Sequence, residues 1–349
     1  MWALELTCPV VFDLLKIFVA IWKLRTGNVR ISQPNLRFPL CRNHRLPKLN
    51  SSMRNKAEKD SKGTGTGTGR LGDGLKPLRV SLFQLTSVDD MALNEERIFF
   101  GLRKLAERGG ARLVVLPENS LFMRLDRNAK LQAPRLQDPV FLRLTEFCRI
   151  HACDILLTTA LLEENGQTVN ATIRLRSDQS PEVVYRKIHL FDVNVLGVQQ
   201  TRESDELTAG TEPKIIDIDG WKIGLSICYD LRFSELFLNY AKHQVDILMV
   251  PSAFLVPTGR AHWEVLLRAR AIESQAYVLA PAQGGSHQNS RGDLRKTWGH
   301  TMIIDPWGVV LSQAKNEGEE SPQIIESTLD PSLISSVRNQ IPMKNHRRL

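Results

Sequence analysis

LRVSLFQLTSVDDMALNEERIFFGLRKLAERGGARLVVLPENS, residues 78–120, contains a change of hydrophobic period that decides the fold class. Val80 to Leu85 reads as a strand. Asn94 to Arg108 reads as an amphipathic helix, with Ile98, Leu102 and Leu105 at helical spacing and Gly109-Gly110 closing it. ARLVVLPE, residues 111–118, is then a second, buried strand. Strand, helix and strand in succession make the unit of an α/β domain.

The same alternation continues outward. Pro134 and Pro139 punctuate the next loop, a helix fits Val140 to Ala152, and DILLTTALL (154–162) is a third strand. Further strands are predicted at 169–175, 182–187, 222–228, 246–251, 277–281 and 300–304, with helices at 234–242 and 261–274. Residues 78–349 therefore read as one α/β domain in which helices cover sheets. No repeat at a fixed period is present, which excludes a solenoid.

The 349 residues are 42% hydrophobic and 24% charged, ordinary values for a globular protein with a sizeable core. The net charge of +8 is unevenly placed, since residues 1–77 hold 14 Lys and Arg against 5 Asp and Glu, leaving 32 against 33 beyond. The foldable part is thus nearly neutral, which argues against a nucleic-acid-binding core. Five cysteines, odd in number and without a CxxC pair, argue against a disulfide framework or zinc site and for a reducing compartment such as the cytoplasm.

Residues 1–77 read as a basic leader and linker, disordered or targeting. Asp13 and Lys16 interrupt the first apolar run, so it is too short for a membrane span, though not for a weak interfacial anchor. No acidic residue occurs from Leu14 to Ala57 while arginines recur, the composition of a mitochondrial transit peptide. An unfolded tail, or a start at Met53, are the plainer readings. GTGTGTG (63–69) is a flexible linker rather than a dinucleotide fingerprint, because no strand precedes it.

Three of the most apolar strands end in functional side chains. LVVLPENS ends at Glu118, VVYRKIHLFD carries Lys187 and KIGLSICYD carries Cys228; a further acid, Glu203, lies in TRESDELTAG. Strand ends are where ligand sites of α/β domains collect. Taken singly, each has a plainer meaning: a carboxylate after a strand caps a helix or faces water, a lysine snorkels, a strand-end cysteine packs. Taken together they make a cysteine hydrolase without histidine. A thiol of pKa about 8.5 needs a base or a nearby cation. Glu118 could take its proton, Lys187 could hold the oxyanion, and Glu203 could orient Lys187. Two other readings stay open: a Cys-His hydrolase with His189 or His300 as base, and a non-catalytic scaffold that keeps the fold.

LPENSLF, YRKIHLFD, RESDELTAG and GLSICYDLRFSE resemble, in order and approximate spacing, the Glu, Lys, second Glu and Cys blocks of the nitrilase, or carbon–nitrogen hydrolase, superfamily. The resemblance runs from about residue 78 to the end. It implies a four-layer α-β-β-α sandwich, amide hydrolysis through a thioester on Cys228, and an oxyanion site made by Lys187 and the backbone N–H of Tyr229. No metal or organic cofactor is implied; a small-molecule amide substrate and a homo-oligomer, dimer or larger, are. PSAFLVPTGRAHWEVLLRARAIESQAYVLAPAQGGSH (251–287) is similar to the branch that includes deaminated glutathione amidases, more than to the sister ω-amidases. Such a substrate is anionic, so cationic contacts are expected, with Arg232 and His262 as candidates. The plainer alternatives are an ion pair of Arg232 with Asp230 or Glu235, and a solvated His262. Ser234 departs from the family's RFPE and is expected to cap the following helix in place of the proline.

Overall fold

The computed structural model describes residues 74–126, 129–194, 201–315 and 322–348, so the leader expectations for residues 1–73 lie outside the described residues. In chain order the first half forms β1 (Leu78–Gln84), α1 (Met91–Glu107), β2 (Leu113–Val115), α2 (Pro139–His151), β3 (Asp154–Leu162), β4 (Thr168–Arg176) and β5 (Gln179–Arg186). Two short strands, β6 (Asp192–Val193) and β7 (Thr201–Arg202), pair with each other. The second half forms β8 (Ile215–Ile218), β9 (Trp221–Leu225), α3 (Ser234–Lys242), β10 (Ile247–Met249), α4 (Val256–Ser274) and β11 (Tyr277–Ala280). A hairpin of β12 (Gly284–Gln288) and β13 (Leu294–Trp298) follows, then β14 (Met302–Ile304), β15 (Val310–Gln313), β16 (Gln323–Leu329) and α5 (Pro331–Gln340).

Side chains alternate across a strand, and the core shows it. Leu113 and Val115 belong to one buried cluster and Val114 and Leu116 to another; Leu156 and its neighbours Ile155 and Leu157 divide in the same way. The first sheet, ordered β16-β1-β2-β3-β4-β5, is therefore buried on both faces, which is why its central strands read as unbroken apolar runs. One face packs on Ile98, Leu102 and Leu105 of α1 and Phe141 and Leu144 of α2. The other shares a core with the second sheet, ordered β15-β14-β11-β10-β9-β8, whose own helices α3 and α4 add Phe237, Tyr240, Trp263 and Leu267. The layers run α-β-β-α. Each such large side chain contributes about 2 kcal/mol on burial, so the double core supplies most of the driving force.

Local chemistry sets the element ends. Asp90 caps α1 by accepting from Leu93 N–H, and Gly110 N–H closes it on Leu105 O at 3.0 Å. Trp221 Nε1 donates to the Lys76 carbonyl, which ties the chain just before Leu78 to the second sheet. Ser234 is a correction to the capping expectation: it stands inside α3, after the N-cap residue Phe233, and makes no cap bond. It occupies the first helical position, where proline is also tolerated, and the turn is held instead by Phe233 N–H to Asp230 O at 3.0 Å.

The strand expected to run to Cys228 stops at Leu225, and Cys228–Arg232 form a 3-10 turn. The cause is Asp230. Its fully buried carboxylate accepts from Ile227 N–H at 2.9 Å and from Tyr185 Oη at 2.7 Å, drawing the chain into the turn and fastening it to β5. Cys228 lies at the top with φ 49°, in the left-handed region that a side chain occupies only at a cost.

Candidate active site

Glu118 follows β2 by three residues. Leu116 N–H continues the parallel pairing onto Leu156 O, and Gln283 Nε2 donates to the Glu118 carbonyl at 2.9 Å, so the backbone carrying this acid is fixed from both sheets. Lys187 follows β5 directly; its N–H donates to Asn170 O and its carbonyl accepts from Gly210 N–H, both at 2.8 Å. A Cβ on Gly210 would collide with the Arg186 carbonyl, which explains why glycine ends the TAG segment. Glu203 opens a 3-10 turn after β7, and its Oε2 accepts from Phe191 N–H at 2.9 Å.

These side chains meet. Lys187 Nζ lies 2.8 Å from Glu118 Oε1 and 3.2 and 2.9 Å from the two oxygens of Glu203. Asn170 Nδ2 also donates to Glu118 Oε1 at 2.9 Å, and the Glu118 side chain interacts with the Cys228 thiol. Burial alone would push the Lys187 ammonium's pKa down, but Glu118, Glu203 and the Cys228 sulfur outweigh it and hold the pKa well above its ordinary value. Burial pushes the Cys228 thiol well up, the Glu118 charge reinforces this, and Lys187 opposes it. The resting site therefore holds an ammonium ion and a neutral thiol. For such a thiol to act as a nucleophile, its deprotonation would have to accompany attack rather than precede it.

Glu118, Asn170, Glu203 and Cys228 line a cavity of about 710 Å³, within the range of small-molecule sites. Neither His189 nor His300 lines it. His189 Nδ1 faces Asp230 Oδ1 at 2.7 Å and its ring stacks on Phe233, and His300 Nδ1 donates to Trp298 O at 2.8 Å. Geometry thus puts Glu118, and neither histidine, in the cavity with the thiol. Arg232 does line the cavity and pairs with neither Asp230, whose oxygens are already engaged, nor Glu235 among the described residues. Its Nη1 lies 3.1 Å from His262 Nδ1, and its guanidinium faces the rings of Tyr229 and Phe254. His262 is exposed and stands behind Arg232 instead of lining the cavity. Tyr229 lines it, and its backbone N–H makes no hydrogen bond to a described residue, in contrast to Cys228 N–H, which donates to Pro251 O at 3.0 Å.

A family model described as carbon–nitrogen hydrolase matches residues 79–339. The chain belongs to the carbon–nitrogen hydrolase family. The deaminated glutathione amidase of Synechocystis sp. is 37% identical over 278 residues, covering 78% of this chain and 99% of that protein. The Bos taurus protein of the same name is 37% identical over 279 residues, covering 77% and 81%. Among solved structures, Saccharomyces cerevisiae Nit3, a member of branch 10 of the nitrilase superfamily, is 29% identical and superposes with a TM-score of 0.65 over 78% of this chain and 97% of its own. The four-layer sandwich is that of this superfamily, and the chain is a hydrolase of carbon–nitrogen bonds.

Five residues in and around the site escaped the sequence reading. Asn170 lies in mid-strand within TVNATIRLR, where a buried polar side chain between apolar neighbours was the available signal. Asp230 was legible only as a partner for Arg232. Gln283 and His287 belong to AQGGSH, whose purpose is structural: Gln283 bonds Ser87 and Glu118, while His287 Nδ1 donates to Ser87 O at 2.7 Å and Nε2 accepts from Thr297 Oγ1 at 2.6 Å. Burial pushes the His287 pKa down to about 4, so the ring is neutral at pH 7 and both bonds persist there. The fifth, Arg295, reaches the cavity from β13, in a polar hairpin without apolar alternation.

Proposed function

We propose that this hydrolase is an amidase that cleaves deaminated glutathione to 2-oxoglutarate and cysteinylglycine through a thioester on Cys228. The observation that carries the reading is the buried bridge that Lys187 makes between Glu118 and Glu203, two acids that line the same cavity as the thiol. As Sγ attacks the amide carbon, Glu118 Oε2 takes its proton. The carbonyl oxygen becomes an oxyanion, held by Lys187 Nζ and Tyr229 N–H. Collapse breaks the C–N bond, and the amine leaves with the proton from Glu118. A water that then loses its proton to Glu118 attacks the thioester, releasing the acid and restoring the thiol. Glu203 keeps Lys187 charged and oriented throughout.

The substrate assignment is supported by the relatives named deaminated glutathione amidase and by arginines lining the cavity, which suit an anionic amide. The test compares amine or ammonia release from deaminated glutathione, α-ketoglutaramate and a simple nitrile at equal enzyme concentration. The expected result is a kcat/KM for deaminated glutathione at least about tenfold above the others, a discrimination within reach of one or two polar contacts. A preference for α-ketoglutaramate would make the enzyme an ω-amidase instead, and hydrolysis of none would leave the fold without this chemistry.

A further inference from the structure

Arg295 stands at the cavity wall, its guanidinium making no hydrogen bond or ion pair to any described residue. The other arginines around the cavity are engaged. Arg124 pairs with Glu206 at 2.6 Å, Arg202 with Asp205 at 3.4 Å, and Arg232 meets His262 and two aromatic rings. Glu118 and Glu203, the acids whose charge Arg295 feels most, are already held by Lys187. Burial pushes the guanidinium's pKa down while those acids support it. A partly desolvated guanidinium without a partner is costly unless a ligand brings the anion.

The segment that carries Arg295 is held firmly. Arg295 pairs in register with His287, whose ring bridges Ser87 and Thr297. Asn289 and Arg291, in the hairpin turn, both donate to Asp89 Oδ2, at 2.8 and 2.7 Å, and Trp298 N–H donates to Phe254 O at 2.9 Å. Such support is what a recognition group needs to keep its fork in one orientation.

We infer that Arg295 is the residue that binds a carboxylate on the acyl part of the substrate and sets the preference for amides that carry one. The assignment follows from position. Arg295 is electrostatically coupled to Cys228 and Glu118, whereas Arg232 packs on Tyr229, Phe254 and His262. The acyl part must stay seated beside Sγ while water replaces the amine, so an unpaired cavity cation close enough to feel the thiol and Glu118 suits it. Arg232 then serves a carboxylate on the departing amine part. A planar guanidinium receives a carboxylate with two parallel hydrogen bonds, which lysine cannot reproduce. The competing role is simple charge balance, because Glu118, Glu203 and Lys187 together carry one excess negative charge that Arg295 would cancel. The inference rests on the amidase reading of the site but not on deaminated glutathione as the substrate.

The two roles separate by substrate. Wild type, Arg295→Met and Arg295→Lys, each as the full chain, are assayed on glutaramate and on pentanamide, which share a five-carbon chain but differ in the terminal carboxylate. Recognition predicts that Arg295→Met lowers the ratio of kcat/KM for glutaramate over pentanamide on the order of 100-fold, with Arg295→Lys in between. The Arg295 guanidinium makes no bond to a described residue, so neither variant removes an internal side-chain bond, and Arg295→Lys keeps the charge should the methionine variant fold poorly. An unchanged ratio overturns the inference, whether both substrates slow equally or neither does, and leaves charge balance. If wild type hydrolyses neither amide, the amidase reading fails and the inference with it. If the ratio falls as stated while deaminated glutathione proves a poor substrate, only the substrate assignment fails.

Discussion

Cys228→Ala is expected to lower kcat on the order of 10⁵-fold or more, because no other side chain can form the thioester and the loss of a nucleophile removes the whole covalent route. Stability should stay within about 1 kcal/mol of wild type, since the change deletes one sulfur atom and leaves the turn and its bonds to Asp230 intact. The backbone adds an internal control. At φ 49° glycine is less strained than alanine, so Cys228→Gly should be about 1 kcal/mol more stable than Cys228→Ala and equally inactive. Amine release and thermal unfolding of the three proteins check both statements. Appreciable turnover in either variant would remove Cys228 from the chemistry.

Lys187→Met should instead lose both activity and stability. Lys187 is 1% exposed and Glu118 2%, and the ammonium lies within 3.2 Å of both acids. Methionine fills much the same space but leaves Glu118 buried beside Glu203 without the ammonium that bridges them. Breaking a buried pair by removing one partner costs about 3–5 kcal/mol. For a domain of this size that is a fall in Tm of roughly 10 °C. Removal of an oxyanion donor adds a loss in kcat on the order of 10²- to 10³-fold. A soluble Lys187→Met protein with wild-type Tm would mean that the three charges do not share one buried site.

Much of this was legible because the signals were periodic or chemical. The helix expected at 234–242 and the strand at 154–162 coincide with α3 and β3, since a strong apolar stripe and a nine-residue stretch whose only polar members are Asp154, Thr158 and Thr159 leave little choice of boundary. Glu118, Lys187 and Cys228 were findable because each interrupts or ends such a run. The α4 helix begins five residues before the expected 261, at Val256, because Pro257 and Gly259 argue locally against helix while proline at a helix start is tolerated. The β12–β13 hairpin was invisible for the opposite reason. GGSHQ and LRKTW carry no alternation, and pairing holds them through His287, Thr297 and Asp89, contacts set by tertiary structure. Arg295 was lost with its hairpin. Asp230 was misjudged because its partners, Tyr185 and His189, lie more than forty residues away in sequence.

The most direct measurement is the mass of the Cys228 peptide after reaction of Glu118→Gln with the mono-p-nitrophenyl ester of glutaric acid. This leaving group departs without a proton, and replacing the Glu118 charge that raises the thiol's pKa while Lys187 stays lets the sulfur ionise without a base, so acylation proceeds while water attack on the thioester still needs the missing base. The expected result is one glutaryl group on Cys228 that persists in the variant and clears in wild type. Acylation at another residue, or rapid clearance from Glu118→Gln at the wild-type rate, would contradict the assignment of Cys228 as nucleophile with Glu118 as its base.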